Sequence, residues 1–137
     1  MTSPNVRAGQ PFTGVRVLEI GGTVAAAGAT KTLADFGADV IKFEPMMGGE
    51  VRRLPPFPND IPHVDRGAYH LALDSGKRSL PVDLSTPSGV QLLLDLSRGA
   101  EAVVIHLPAR EARSLLTVIE ALGSEAPTAL VMTPHGL

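Results

Sequence analysis

The stretch VRVLEIGGTVAAAGATKTLADFGADVIKFE, residues 15–44, decides the fold. It opens with a short run of β-forming residues that stops at two glycines, as a strand entering a tight turn does. Thr23 then suits an N-cap, the residues after it favour a helix, and Gly37 stands where a C-terminal glycine belongs. A second apolar run, 38–44, follows after a short link. This order predicts a right-handed strand–helix–strand crossover with parallel strands.

The rest of the chain continues the alternation of strands and helices. Residues 76–84 hold a short extended segment, and a helix follows that is capped by Ser85 or Thr86, with Pro87 near its first position. Another strand, a helix and a last strand follow in 101–107, 108–123 and 128–133. The residues expected to be buried in the two helices are Leu92, Leu93 and Leu96, then Leu115, Leu116, Ile119 and Leu122. We predict an α/β fold with an open, mostly parallel, doubly wound sheet in three layers, α/β/α.

One domain is expected for a chain of 137 residues. Residues 1–11 are polar and indicate a flexible arm, followed by a domain from 12 to 137. Within that domain, residues 45–66 are rich in proline and glycine and show neither a helical nor a strand period. Because most connections are short, a loop of this length is expected to be functional or covered by a partner.

Composition narrows the classes of function. Twelve basic and 14 acidic residues give a net charge of −2, which leaves no electrostatic footprint for nucleic acid or an anionic membrane. Without cysteine there is no disulfide, thiolate nucleophile or cysteine zinc site. No apolar run is long enough to span a bilayer, and the first ten residues lack the apolar core of a signal peptide. A cytoplasmic protein is therefore expected.

The turn GGTVAAAG invites comparison with nucleotide-binding loops. A dinucleotide fingerprint needs glycines where Val24 and the alanines stand, and a P-loop needs a lysine where Ala29 stands. The preferred interpretation is a small-residue turn that lets helix and strand pack closely. A ligand would still bind beyond the carboxyl ends of the strands, near Glu44, Lys77 and His106.

Metal and hydrolytic sites are not predicted. There is no G-x-S-x-G elbow, and Ser97 and Ser114 fall within helical patterns. The histidines are scattered without the spacing of metal ligands: His63, His70, His106 and His135.

Several basic residues lie near the ends of predicted strands and helices, where phosphates bind. Solvated surface charge is the alternative interpretation. The candidates are Arg52, Arg53, Lys77, Arg78, Arg110 and Arg113.

Five blocks of the sequence together resemble the N-terminal part of a known family: FTGVRVLEI, TLADFGADVIKFE, GKRSLPVDLSTPSGVQLLLDL, AEAVVIHLPARE and TPHGL. From about Phe12 to Leu137 they follow the order and the intervals of the class III CoA-transferases. This group contains formyl-CoA and L-carnitine CoA-transferases and the α-methylacyl-CoA racemases. Five ordered blocks are far more specific than any one of them.

The resemblance implies a Rossmann-like domain, an intertwined dimer, and a site for CoA or acyl-CoA beside the first turn and the strand ends. It also implies acyl transfer through a carboxylate that forms an acyl-CoA anhydride and then an enzyme-bound thioester. Seven residues take positions near CoA by resemblance: Val24 and Ala25 near the catalytic centre, Lys77 at the phosphates or adenine pocket with Arg78 beside it, His106 and Leu107 flanking the adenine, and Arg113 as a family arginine with one residue of slippage.

Three positions depart from the family pattern. Pro45 stands where an arginine for CoA is usual, His106 and Leu107 replace Asn-Phe, and PAR, residues 108–110, replaces the Arg-Pro-Gly turn. Each loss is expected to weaken an anion-binding or purine-binding contact by about 1–3 kcal/mol.

No catalytic residue is assigned from the sequence. The family's nucleophilic aspartate, and the racemases' His and Asp pair, lie after the block that TPHGL resembles. Asp74, Asp83 and Asp95 are interpreted as turn, loop and helix-surface acids.

Two hypotheses about function follow. In the first, the chain is the N-terminal part of a CoA-transferase-like protein and binds CoA or acyl-CoA, while a C-terminal part or a partner chain supplies the chemistry. In the second, it is a degenerate scaffold that acts through protein contacts. By itself the domain is expected to expose apolar surface and to associate, as a homo-oligomer or with a CoA-transferase-like partner.

Overall fold

A parallel β-sheet forms the centre of the protein, which a computed structural model describes from residue 9 to residue 133. The strands are β1 (Arg16–Ile20), β2 (Asp39–Glu44), β3 (Arg78–Pro81), β4 (Ala102–His106) and β5 (Thr128–Met132). Their order in the sheet is β3-β2-β1-β4-β5, and every neighbouring pair is parallel. The predicted open parallel sheet is therefore confirmed. Some predicted features lie outside the described residues. These are His135, the block TPHGL after its first residue, and most of the predicted arm.

The connections between strands are helical. Within residues 9–133 the α-helices are α1 (Val24–Asp35), α2 (Ala68–Leu73), α3 (Pro87–Ser97) and α4 (Ala109–Glu120). Three single-turn 3-10 helices accompany them, Glu50–Arg53, Pro58–Asp60 and Gly123–Glu125, and the first two lie in the long loop 45–66.

Local capping signals set the ends of the helices. The Thr23 hydroxyl oxygen accepts from the Ala26 amide at the start of α1 (3.3 Å), and the Thr86 hydroxyl oxygen accepts from the Gly89 amide in α3 (3.1 Å). Gly37 follows α1 with a φ of +102°, a conformation that favours glycine. The predicted caps Thr23 and Gly37 are thus confirmed, and of the two candidates Ser85 and Thr86 it is Thr86 that caps α3.

Helices cover both faces of the sheet. On one face Leu18, Phe43 and Ile105 pack with Leu93 of α3 and Ile119 of α4. On the other face Val17, Val40 and Val104 pack with Ala26 of α1. This arrangement confirms the three-layer prediction.

The inner face of α3 differs from the predicted one. Leu93 is fully buried and Leu96 packs against the core, but Leu92 is exposed. The side of α3 that faces the sheet carries Gly89, Leu93 and Ser97, which are four residues apart and so share one side of a helix. The prediction that Leu92 belongs to the buried stripe is therefore wrong.

Helix α2 lies in a stretch where the sequence predicted no element. It buries none of its residues, and its Tyr69 and Leu71 are exposed. Without a buried face, a helix shows no apolar period in its sequence. Polar contacts hold α2 in place instead.

Candidate functional site

A cleft of about 740 Å³ opens at the carboxyl ends of the strands. It lies beside β1, where the strand order reverses, which is the usual ligand position in an open parallel sheet. Its walls come from the ends of β1 and β2, from the segments after β2 and β3, and from the start of α4. The apolar lining includes Ile20, Phe43, Met46, Met47, Val82, Leu84, Leu107 and Leu115, and the ionisable lining consists of Glu44, Asp83, Arg110 and Glu111.

The turn after β1 brings backbone segments into close contact at one side of this cleft. Gly21 has a φ of +123°, and a Cβ built on it would lie 2.0 Å from the carbonyl oxygen of His106. A Cβ on Gly22 would lie 3.0 Å from the Cα of Gly49. Close approach of the backbone therefore explains the two glycines of the turn.

Four of the seven predicted CoA-contacting residues lie at the carboxyl edge of the sheet, but of these four Leu107 alone lines the cleft. Val24 and Ala25 form the first turn of α1, His106 ends β4, and Leu107 lines the cleft. The Thr23 hydroxyl lies 2.5 Å from Nδ1 of His106, so the cap of α1 and the end of β4 are joined directly. Contact of these four residues with CoA stays a prediction.

Lys77 lies away from the cleft lining. Its side chain is only 2% exposed, and its Nζ donates to Oε2 of Glu19 (2.8 Å) and to the Ala27 carbonyl (2.8 Å). The same Nζ also lies 3.4 Å from Oδ1 of Asp74. The ammonium group is thus fully engaged within the protein, and a role in CoA binding stays a prediction.

The remaining two predicted residues also lie outside the cleft lining. Arg78 starts β3, and its Nε donates to Oδ1 of Asp39 (2.8 Å) at the amino ends of the strands, opposite the cleft. Arg113 is exposed on α4, whereas Arg110, one turn earlier, lines the cleft. Sequence reasoning named Arg110 only among the general phosphate-binding candidates.

Buried charges between the sheet and helices α1 and α2 form a cluster that sequence reasoning missed. Glu19 and Lys42 face each other across β1 and β2, and both are almost completely buried. Lys42 Nζ donates to Oδ2 of Asp74 at 2.6 Å. Charged residues at register-paired positions inside two apolar strands were the available signal.

Asp74 is more than the turn acid that the sequence indicated. It caps the end of α2, but its side chain is only 5% exposed. Burial acts to raise its pKa, yet the hydrogen bonds from Lys42 and His70 and the nearby Lys77 together hold the pKa below the ordinary value. Asp74 therefore stays ionised and ties α2 to the sheet.

Glu44, at the end of β2, is the centre of a second group of contacts. Its Oε2 accepts from the Gly49 amide (2.9 Å) and from Nε of Arg52 (2.9 Å). Its Oε1 accepts from Nη2 of Arg52 (2.8 Å) and from the Ser79 hydroxyl (2.5 Å). Burial acts to raise the pKa of Glu44, but these bonds outweigh it and lower the pKa to about 2.

The lowered pKa of Glu44 predicts acid sensitivity. Its pKa is about 2 in the folded protein against an ordinary value of 4.5, so the stabilisation is fully present above pH 4.5 and is lost as the pH falls towards 2. The loss should reach on the order of 3 kcal/mol of unfolding free energy. Urea denaturation from pH 6 down to about 2 measures this loss. In Glu44→Gln the unfolding free energy should depend less steeply on pH. An equally steep curve for Glu44→Gln would assign the acid sensitivity to other groups.

The described part of the chain, residues 9–133, carries neither a membrane-spanning helix nor a metal-binding group of side chains. No helix there is long and apolar enough to cross a membrane. No group of three or more histidine, aspartate or glutamate side chains in that range is arranged to hold a metal ion.

Comparison with known proteins gives the family. The profile of CoA-transferase family III matches residues 12–135. A succinate–glutarate CoA-transferase from Agrobacterium fabrum is 41% identical over 97 residues, which are 69% of this chain and 24% of that protein. A formyl-CoA:oxalate CoA-transferase from Escherichia coli is 37% identical over 94 residues, which are 69% of this chain and 22% of that protein.

Solved structures agree with the sequence matches. A hypothetical protein from Mycobacterium tuberculosis superimposes with a TM-score of 0.79 at 28% identity, over 95% of this chain and 35% of that chain. A CAIB/BAIF family protein from Brucella suis gives a TM-score of 0.73 at 28% identity, over 90% of this chain and 33% of that chain. The chain covers only a part of the curated relatives, namely 24% and 22% of the lengths of the two enzymes compared above. Because the family profile matches residues 12–135, the chain belongs to CoA-transferase family III.

Proposed function

We propose that this chain provides a binding surface for CoA or an acyl-CoA thioester, used in the transfer of CoA between carboxylic acids. Membership of the family supports this proposal, and so does the activity in the names of the two curated relatives. The observation that carries it is the cleft at the carboxyl ends of β1 and β2, which Gly21 of the first turn and Leu107 after β4 also line.

The proposed ligand is amphipathic, and so is the cleft. Its walls are mostly aliphatic, whereas Arg110 at the start of α4 is the basic residue of the lining. A guanidinium binds phosphate oxygens through charge-assisted hydrogen bonds, and apolar walls suit the uncharged parts of a thioester. Arg110 is therefore proposed to meet a CoA phosphate.

The nucleophilic carboxylate is proposed to come from a segment outside this sequence or from a partner chain. Glu44 is buried against Arg52, and the Asp83 carboxylate accepts from the amide and hydroxyl of Ser85, whose bonds lower its pKa. Two of the three acids that line the cleft are thus engaged locally. Exposed apolar side chains support association with such a partner or with a second copy: Met46, Met47, Ile61, Val64, Tyr69 and Leu71.

One observation favours the alternative of a scaffold that no longer binds CoA. Among the described residues that line the cleft, Arg110 is the single basic one and three are acidic. CoA carries several phosphate charges, so this balance is unfavourable to it. Pro45, which also lines the cleft, adds no charge.

Calorimetric titration with CoA and acetyl-CoA separates the two functions. We expect Arg110→Ala to weaken binding on the order of ten-fold, because one charge-assisted hydrogen bond is lost. Arg113→Ala, one turn further along α4 and outside the cleft lining, should bind as the parent does.

Two other outcomes of the titration would also distinguish between the hypotheses. A larger loss for Arg113→Ala than for Arg110→Ala would support the assignment made from the family resemblance. The absence of heat at millimolar CoA, alone and with a CoA-transferase-like partner chain, would favour the scaffold.

A further inference from the structure

One wall of the cleft is the start of the rim segment, which we define as residues 45–54. Cavities lie on both of its sides, the cleft of about 740 Å³ and a smaller one of about 320 Å³. Met46 and Met47, at its start, are 72% and 78% exposed, whereas Val51 in its second half is buried. Apolar packing therefore holds the second half of the rim segment but not the part that faces the cleft.

Arg52 holds the rim segment through hydrogen bonds where apolar packing is missing. Its Nε and Nη2 both donate to the Glu44 carboxylate, at 2.9 and 2.8 Å. Its Nη1 donates to Oδ1 of Asp65 at 2.8 Å and lies 3.0 Å from Nε2 of His70. All three nitrogens of the guanidinium are thus engaged, and Arg52 does not line the cleft.

The contact with His70 extends this attachment to α2. A guanidinium nitrogen can only donate, so Nε2 of His70 must accept. His70 then carries its proton on Nδ1 and donates it to Oδ2 of Asp74, 2.8 Å away. Arg52 therefore joins the end of β2 and the rim segment to the buried charges beneath α2.

The rim segment also touches the first turn. The Val51 amide donates to the Gly22 carbonyl at 3.1 Å, and the backbones of Gly22 and Gly49 are in contact. A shift of the rim segment would thus be felt at both the wall of the cleft and the turn before α1.

We propose that Arg52 is a positioning residue: through Glu44 it fixes the rim segment, and so sets the shape of the cleft, without touching the ligand. This inference rests on the proposed function, because its consequence is measured as CoA binding.

Hydrogen exchange and calorimetry test it on the same variants. For Arg52→Ala we expect amide exchange in residues 45–54 to accelerate and the Kd for CoA to rise, each by about ten-fold or more. Arg52→Lys keeps the charge but not the two-pronged contact, so it should give intermediate values for both. It also serves if Arg52→Ala does not fold.

The matched control is Arg16→Ala. Arg16 donates from Nε to Oδ2 of Asp39 at 3.2 Å, which is also an arginine–carboxylate contact on β2 but at the opposite end of the strand. We expect parent-like CoA binding and parent-like exchange in 45–54 for this variant, whatever happens to its stability.

Two results would overturn this inference and leave the proposed function intact. They are unchanged exchange in residues 45–54 of Arg52→Ala, and faster exchange with parent-like CoA affinity. A purely structural role would lower stability in the Arg52 variants without the graded loss of affinity. If the parent itself binds no CoA, the proposed function fails as well, and the inference fails with it.

Discussion

Replacement of Lys77 by methionine should lower the free energy of unfolding by about 3–5 kcal/mol, because it removes the cation that donates to the buried Glu19 carboxylate and leaves only Lys42, 4.0 Å from Oε1. Glu19 is fully buried, and its Oε2 accepts from Lys77 and from the Thr30 hydroxyl (2.5 Å). Its Oε1 has no hydrogen-bond partner. Methionine fills a similar volume, so the loss should come mainly from charge rather than from a cavity. Urea denaturation at neutral pH measures this change.

Lys31→Met is the control for this prediction. Lys31 pairs with Asp35 on the surface of α1, and such pairs contribute only about 0.3–0.5 kcal/mol. A Lys77→Met protein as stable as the parent would contradict the prediction. If such a stable variant also failed to bind CoA, Lys77 would have the ligand role that the family resemblance implies.

Gly21→Ala should destabilise the protein on the order of 4 kcal/mol, since strain and overpacking act together. The backbone at Gly21 has a φ that disfavours any side chain, and the new methyl would lie 2.0 Å from the His106 carbonyl oxygen. The first turn and the end of β4 would have to separate. Thermal and urea denaturation should both report the loss.

Gly28→Ala gives the opposite expectation with the same substitution. Gly28 lies inside α1, and a Cβ there would meet nothing within 4 Å. Alanine should therefore stabilise the helix by about 0.5–1 kcal/mol. Equal destabilisation by both variants would mean that the contact with His106 is not the cause.

Local signals made much of the fold predictable. Thr23, Gly37 and the Thr86–Pro87 pair act within a few residues of themselves, so the ends of α1 and the start of α3 could be located without tertiary information. Helix α2 could not, because it buries no residue and its fixed position depends on His70 and Asp74 meeting distant partners.

The candidate site was predictable where residues directly follow strands. Leu107 lines the cleft because it directly follows β4, whereas Val24, Ala25 and His106 lie at the same edge of the sheet without lining the cleft. The same reasoning did not work for basic side chains. Their direction depends on which acids the folded chain presents: Lys77 meets Glu19, 58 positions earlier, and Arg52 meets Glu44 across a turn.

By itself the sequence determined the parallel strand–helix alternation, the main helix caps and, through five ordered blocks, the family. The tertiary structure decided which charges remain for a ligand. Lys77 and Arg52 are used within the fold, Arg78 lies at the opposite edge, and Arg110 faces the cleft. The physical reason is that caps and periodicity are local, whereas a buried charge must find its partner wherever the register and crossovers of the sheet place one.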